Sequence, residues 1–349
     1  MTPILTLAAK STSINAVEKQ SPRIPVLSIV IVNYRSWRYA NRLMQSLLAV
    51  PEVHAGQVEI TLIDNAAVRS AARVSLRKQP GVSVRAFRQN RGFARGVNEG
   101  CRLSRGEWCL ILNPDTTIPS DFVSSALALI AQWSQMPKAG IVGIRLCDGD
   151  DAVQGSSGPP PTLRRSVLGL MRPRSRRRCQ PIRANQPVEA PWVTGCGMLI
   201  RRECLDSIGG FDPGFFLYYE DADLCIRARA AGWTVWHDPR LAVQHHRPLH
   251  SRRVPAWLRL LTRHALLRFA FKHWPQWEFQ AICGLVAIEA RARALRAKLD
   301  HRTSAARIFR LQQRVTADCR AGRWEEAFRK VWKVAQRRGR RHERPTKPR

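Results

Sequence analysis

The sequence predicts an α/β protein built on a mainly parallel sheet, and three observations carry that prediction. Short runs rich in Val, Ile and Leu alternate with helical runs between residues 26 and 146. The first of them, Leu27 to Val32, is an almost continuous β-branched run and the one at Trp108 to Leu112 is fully apolar, as buried parallel strands require. Several close in Asn or Asp, which gathers polar side chains at the carboxyl edge where such sheets bind ligands.

Residues 1–25 read as a polar tail with no basic leader, so a secretory signal is not expected. Leu27 to Val32 is the first strand and closes in Asn33-Tyr34; a helix with Leu43, Leu47 and Leu48 on one side follows and stops at Pro51. Val58 to Ile63 is the second strand, ending in Asp64-Asn65. Residues 66–78 read as a helix and Val82 to Phe87 as the third strand. Behind it stand Asn90, Arg91, Gly92, Phe93 and, further on, Gly96. The glycines allow close backbone approach to a ligand, and the helix beginning there can offer N–H groups to phosphate. The pattern is neither G-x-G-x-x-G nor a Walker loop, so dinucleotide and ATPase functions lose their main support. Trp108 to Leu112 is the fourth strand. It delivers Asn113-Pro114-Asp115-Thr116, where Pro114 ends the strand and leaves Asp115 in a loop. A helix over 122–133 and a strand over 140–146 come next.

Residues 150–190 change character. Gln154 to Pro161 cannot hold regular structure and Arg164 to Arg178 is dense in arginine, which suggests a long surface excursion over the site. Order returns at 192–200, a strand lightened by Gly195 and Gly197, followed by a short helix capped at Gly209-Gly210. An apolar and aromatic run, Phe215 to Tyr219, then meets the carboxylates Glu220, Asp221 and Asp223. A helix starting near Asp221 favours ionised carboxylates there through its free N–H groups and positive dipole end. Strands over 233–237 and 241–246 complete a domain spanning 26–250, and the second ends in His245-His246, a candidate metal site.

Residues 251–336 mix apolar and basic side chains in helical style, a basic amphipathic extension; 337–349 is a basic tail expected to be disordered. The net charge of +32 points to an anionic partner. Nucleic acid is not expected, because no recognisable motif accompanies the charge and strand-end aspartates repel phosphate unless a metal intervenes. The nine cysteines form no C-x-x-C pair, which fits reduced thiols in the cytoplasm. No apolar run approaches the roughly 20 residues a bilayer requires, so membrane contact would be peripheral, through basic helices on anionic lipid.

In this order the pieces resemble a known family, the inverting glycosyltransferases of family 2, with the GT-A fold, and within it the rhamnosyltransferase-like branch. The matching pieces run from Ile29–Tyr34, Ile63–Asn65 and Asn90–Ala94 through Leu112–Thr116, Trp192–Gly195 and Gly209–Asp212 to Tyr219–Leu224 and His245-His246. The resemblance implies a nucleotide-diphosphate sugar donor, dTDP-rhamnose by branch, and a glycan or lipid-linked acceptor of cell-envelope polysaccharide synthesis at the inner face of the membrane. It implies donor binding by Asn33, Asp64, Asn90, Gly92 and Asp115, and a divalent cation, Mg2+ or Mn2+, on Asp115 with His245 or His246. Asn113 stands where the family's D-x-D motif has its first aspartate, which removes one carboxylate from the metal site. Asp221 resembles the catalytic base. Acceptor contacts are implied for Trp192, Thr194, Gly195, Glu220 and Asp223, the last two being alternatively charges that orient Asp221. Two further readings are a sugar-phosphate nucleotidyltransferase, which needs a glycine-rich basic loop in place of Asn33 to Trp37, and a catalytically silent scaffold.

Overall fold

The structure, a computed structural model, describes residues 24–66, 70–168, 179–246 and 254–341. Most of the N-terminal tail, much of the arginine run and residues 342–349 of the basic tail lie outside them.

Strands β1 (Leu27–Asn33), β2 (Val58–Asp64), β3 (Val82–Ala86) and β4 (Trp108–Leu112) are parallel and lie side by side as β3-β2-β1-β4. They are joined by α1 (Trp37–Leu48), α2 (Pro51–His54), α3 (Ala71–Leu76) and α4 (Phe93–Leu103). Side chains alternate in direction along a strand, so β1 feeds two cores. Ile29 and Ile31 pack with Leu43 and Leu47 of α1, whereas Val30 and Val32 pack with Ala94 and Val97 of α4. Burial on both faces explains the unbroken apolar run. In-register pairing sets Asn33 beside Asp64 at the carboxyl edge.

Beyond β4 the sheet is mixed. β8 (Gly197–Arg201) runs antiparallel to β4 and to β6 (Ala139–Cys147), and β9 (Thr234–His245) runs parallel to β6. Short β5 (Thr116–Thr117) and β7 (Val188–Glu189) pair antiparallel with β9. The strands expected at 233–237 and 241–246 are therefore one. A bulge between Asp238 and Ala242 absorbs Pro239, which cannot donate to the ladder, and pairing with β6 then resumes. The strand expected from Trp192 begins only at Gly197; the preceding loop is bridged to Ser157 at Val193. The remaining helices of this half are α5 (Phe122–Ser134), α6 (Leu163–Leu168), α7 (Arg202–Ser207) and α8 (Glu220–Ala230).

Four long helices follow: α9 (Ala256–His273), α10 (Gln276–Leu299), α11 (Thr303–Arg320) and α12 (Trp324–Arg341). Helix α11 lies within the extension expected to be helical, although no separate helix was read over 303–320, and α12 carries on past residue 336 to Arg341, into the segment expected to be disordered. These helices share a core of their own, yet Ala265 and Phe269 of α9 belong to the same cluster as Phe215 and Ala222. Charge locks the junction. Asp212 accepts from Arg268 at 3.0 Å and Lys272 at 2.8 Å, and fully buried Asp223 is bound by Arg227 at 2.8 Å, Lys272 at 2.6 Å and His273 at 2.8 Å.

These ion pairs make the junction acid-sensitive. Burial opposes ionisation of Asp212 and Asp223, but their cationic partners outweigh it and hold both carboxyls below the usual range. Glu289, between Arg263 and Arg293, is likewise pulled down to about 2 against its own burial. A depressed carboxylate adds stability in full above the unfolded value near about 4 and loses it as pH falls through the folded value. Proteolytic susceptibility of α9 to α12 should accordingly rise steeply between about pH 4 and pH 2, before the sheet's far-UV circular dichroism is lost; simultaneous loss of both signals would show that these pairs do not govern docking.

Candidate active site

The site begins where the parallel strands end. Asp64 is buried and paired with Arg73 at 2.8 Å; burial pushes its carboxyl up, and the guanidinium partly offsets that. Asn33 accepts from the Ser36 N–H at 3.1 Å. Asn33 Nδ2 and Asp64 Oδ1 remain, buried and without a hydrogen-bond partner among the described residues. One donor and one acceptor thus wait side by side, and buried polar atoms left so call for a ligand.

The loop after β3 is held by side chains. Asn90 Oδ1 accepts from the Gly92 N–H at 2.8 Å, and Asn65 accepts from the Arg91 N–H and donates to the Gly92 carbonyl, each at 2.8 Å. Gly92 has φ +89°, and a Cβ there would stand 2.5 Å from the Phe216 carbonyl oxygen. The close approach expected of Gly92 is therefore to another chain segment, and Gly96 similarly faces Val32 of β1. Immediately beyond, the Phe93 N–H donates to Phe216 O at 2.8 Å.

On the other side of β1, Asp115 Oδ1 lies 3.6 Å from His245 Nε2, with Asn113 Nδ2 3.5 Å from the same nitrogen. His246 points elsewhere: its Nε2 meets Thr117 Oγ1 at 2.7 Å and its ring stacks on Tyr39. Gln154 settles the state of His245. Its Nε2 donates to the His245 carbonyl at 2.7 Å, which leaves Oε1 to accept, 3.0 Å from His245 Nδ1. A ring proton therefore sits on Nδ1, and Nε2 is turned toward Asp115. Among the described residues no three His, Cys, Asp or Glu side chains converge. One carboxylate and one oriented imidazole nevertheless fit a hard cation that takes its other ligands from diphosphate oxygens and water.

Asp221 lies in the first turn of α8, which begins one residue earlier than expected, at Glu220. Its Oδ1 accepts from the Ala222 N–H at 2.9 Å, and the carboxylate stands at the positive end of the helix dipole. The two preceding residues, Tyr218 and Tyr219, have φ of 74° and 68°, left-handed values that cost an L side chain energy and are retained at functional sites. A Cβ on Gly195 would lie 4.0 Å from Asp221 Cβ and 3.1 Å from the Phe93 ring. The next carbonyl, of Cys196, accepts from the Asn113 N–H at 3.3 Å. Two consecutive residues thus lie near Asp221 on one side and hydrogen-bond the Asn113–Asp115 loop on the other.

Thr194 is half-buried beside this bridge and Glu220 is buried next to Asp221. Two expected acceptor contacts require correction. Trp192 is fully buried in the core, its Nε1 donating to Pro159 O, and Asp223 is fully buried among its three cations, so neither side chain faces an acceptor. Gln154, Asn65 and Arg73 were missed. Gln154 opens the irregular Gly/Pro stretch and Arg73 sits in an ordinary basic helix; only Asn65, next to Asp64, carried a local signal.

The sequence model described as Glycosyltransferase like family 2 matches residues 22–265. Among curated proteins the chain is similar to N-acetylglucosaminyl-diphospho-decaprenol L-rhamnosyltransferase of Mycobacterium tuberculosis, 29% identical over 253 residues, 66% of this chain and 79% of that one. It is also similar to the low-salt glycan biosynthesis hexosyltransferase Agl10 of Haloferax volcanii, 25% identical over 244 residues, 68% of this chain and 73% of that one. Among solved structures, the mannosyltransferase PcManGT from Pyrobaculum calidifontis in complex with GDP-Man and Mn2+ aligns with a TM-score of 0.47 and 15% identity, over 92% of this chain and 89% of that chain. With the family matched across the whole strand-end site and α8, the chain belongs to glycosyltransferase family 2 and is a glycosyltransferase.

Proposed function

We propose that this enzyme transfers rhamnose, with inversion, from dTDP-rhamnose to a hydroxyl of a lipid-linked glycan during cell-envelope polysaccharide synthesis. The observation that supports the inverting chemistry is that Asp221 packs near Gly195, whose neighbour Cys196 accepts from the Asn113 N–H of the Asp115 loop. Asp221 takes the proton of the incoming hydroxyl while its oxygen attacks the anomeric carbon opposite the leaving diphosphate. Asn33 and Asp64 offer a donor and an acceptor to the nucleoside, and the Asn90–Gly92 loop shapes the same edge. Asp115 and the Nε2 of His245 would hold Mg2+ or Mn2+, which when bound neutralises the departing diphosphate. Glu220, Thr194 and Gly195 border the acceptor side. The rhamnose and lipid-linked parts of the reading are supported by the name of the Mycobacterium relative.

Asp221→Asn should lower turnover with dTDP-rhamnose by about 10²- to 10⁴-fold while leaving donor binding by calorimetry unchanged. Turnover close to that of the parent would remove Asp221 as base, and a panel of other nucleotide sugars turned over faster would replace rhamnose. Gln154→Leu frees the His245 ring, so the half-saturating Mn2+ concentration should rise by about 10- to 100-fold; an unchanged metal titration would exclude His245 as ligand.

Placement at the cytoplasmic face of the membrane rests on α10. Trp277, Leu285, Ile288, Leu295 and Leu299 recur at helical spacing and are all exposed, with Arg291, Arg296 and Lys298 beside them. Among the described residues no helix is long and apolar enough to cross a bilayer. Because α9 is part of the catalytic core, point substitutions test this better than truncation. The pair Ile288→Glu and Leu295→Glu should abolish cosedimentation with anionic vesicles and leave the circular dichroism intact. Retained sedimentation, or a parent that is a dimer split by the substitutions, would assign the stripe to something other than lipid.

A further inference from the structure

A cleft of about 1230 Å³ lies between the end of β3, the 212–214 turn, α9 and α12. None of Asn33, Asp64, Asp115, Asp221 and His245 lines it, so it is separate from the strand-end site. Six arginines do line it: Arg85, Arg88, Arg91, Arg95, Arg268 and Arg329. The carboxylates in the lining are Asp212 and Glu325, and Asp212 is already bound by Arg268 and Lys272. Among the described residues Arg88, Arg91, Arg95 and Arg329 pair with no carboxylate. Aromatic faces hold two of them instead, with the Arg91 guanidinium 4.6 Å from the Phe87 ring centroid and that of Arg95 5.6 Å from the Phe328 centroid. Stacking fixes a guanidinium without neutralising it; the Arg95 Nε donates to the Pro213 carbonyl at 3.2 Å, and the remaining N–H donors of the two forks stay available to an anion. Trp324 and Trp332 complete an apolar wall on the α12 side.

Several unneutralised guanidiniums around one concavity repel one another, and the arrangement is relieved by an anion that accepts from more than one fork. We propose that this cleft is a second binding site, for a phosphate or diphosphate ester whose non-phosphate part lies against the α12 aromatics. The volume admits such a ligand. The position gives it reach over the donor side, because Trp332 Nε1 donates to the Asn90 carbonyl at 3.0 Å and Gln336 Nε2 donates to the same oxygen. The helix that walls the cleft thus also holds the loop on which Gly92 sits. The chemistry is shared by the head group of a phosphomonoester or diphosphate lipid and by a soluble phosphorylated compound.

The test uses the full chain in EDTA, titrated with inorganic pyrophosphate by calorimetry. The exposed pair Arg88→Gln and Arg329→Gln should weaken binding by about tenfold or more. The equally charged exposed pair Arg307→Gln and Arg310→Gln on α11, and Asp115→Asn, should leave it unchanged. Equal losses in the two arginine pairs would reduce the effect to diffuse charge, a tightening in Asp115→Asn, whose carboxylate repels an anion without metal, would assign it to the strand-end site, and no binding to the parent would end the proposal. Vesicles then separate the sources, both of which uphold the cleft. Preference for phosphatidic acid over phosphatidylglycerol at equal charge, lost in Arg88→Gln with Arg329→Gln, identifies a lipid head group. Pyrophosphate binding without that preference identifies a soluble ester.

Discussion

The hydrogen bond from the Phe93 N–H to the Phe216 carbonyl is the joint on which the site depends. It fastens the loop after β3 to the segment that runs into Tyr218, Tyr219 and Asp221. The joint closes only because residue 92 lacks a side chain and accepts a positive φ; any Cβ would strike the carbonyl that Phe93 needs. The Phe93 ring lies against Gly195, where a Cβ would also come within 4.0 Å of Asp221 Cβ. Segments more than a hundred residues apart in sequence are thus joined by one backbone contact and two missing side chains.

The same segment is braced from behind. Asp212 and Asp223 flank it, and both are held by cations of α9, while Tyr219 packs on Phe269 of that helix. Breaking one partner of a buried charge network costs about 3–5 kcal/mol, far more than an exposed pair contributes. That rigidity allows two consecutive tyrosines to persist in left-handed conformations next to the helix that carries Asp221. The C-terminal helices are consequently part of the machinery that shapes the site, and an independent appendage could not supply such a brace.

The basic excess is not spread evenly in its consequences. Many arginines are ordinary structural donors: Arg201 ties β8 to carbonyls of Trp133, Met136 and Ala139, and Arg202 closes the far end of the sheet on Cys101 and Gly106. Arg88, Arg91, Arg95 and Arg329 around the α12 cleft differ, because among the described residues they pair with no carboxylate. Charge of that kind is what an anionic partner can use.

Much of the fold was legible from residue order alone. Apolar runs between helical runs dictate covered strands, and because parallel strands present the same end, Asn33, Asp64 and Asp115 had to gather at one edge. The carboxylate trio at the start of a helix was equally legible, since capping chemistry is local. Helix α11 was hidden because its buried face is carried by residues such as Gln312 and Thr316 among many charges, which blurs the apolar period. Likewise, nothing local distinguishes Asp221, which stays at the site, from Asp223 two residues on, whose carboxylate is consumed by Lys272 and His273. Gln154 orients His245 across 91 residues of chain, and His245 differs from His246 only in which way β9 presents it at the sheet edge. The sequence by itself determined the strands, their polar ends and the helix that bears Asp221, because each follows from neighbours in the chain. Which carboxylates are taken up by cations was decided only by tertiary packing, because the cations that bind them, such as Lys272 and His273 at Asp223, lie far away in sequence.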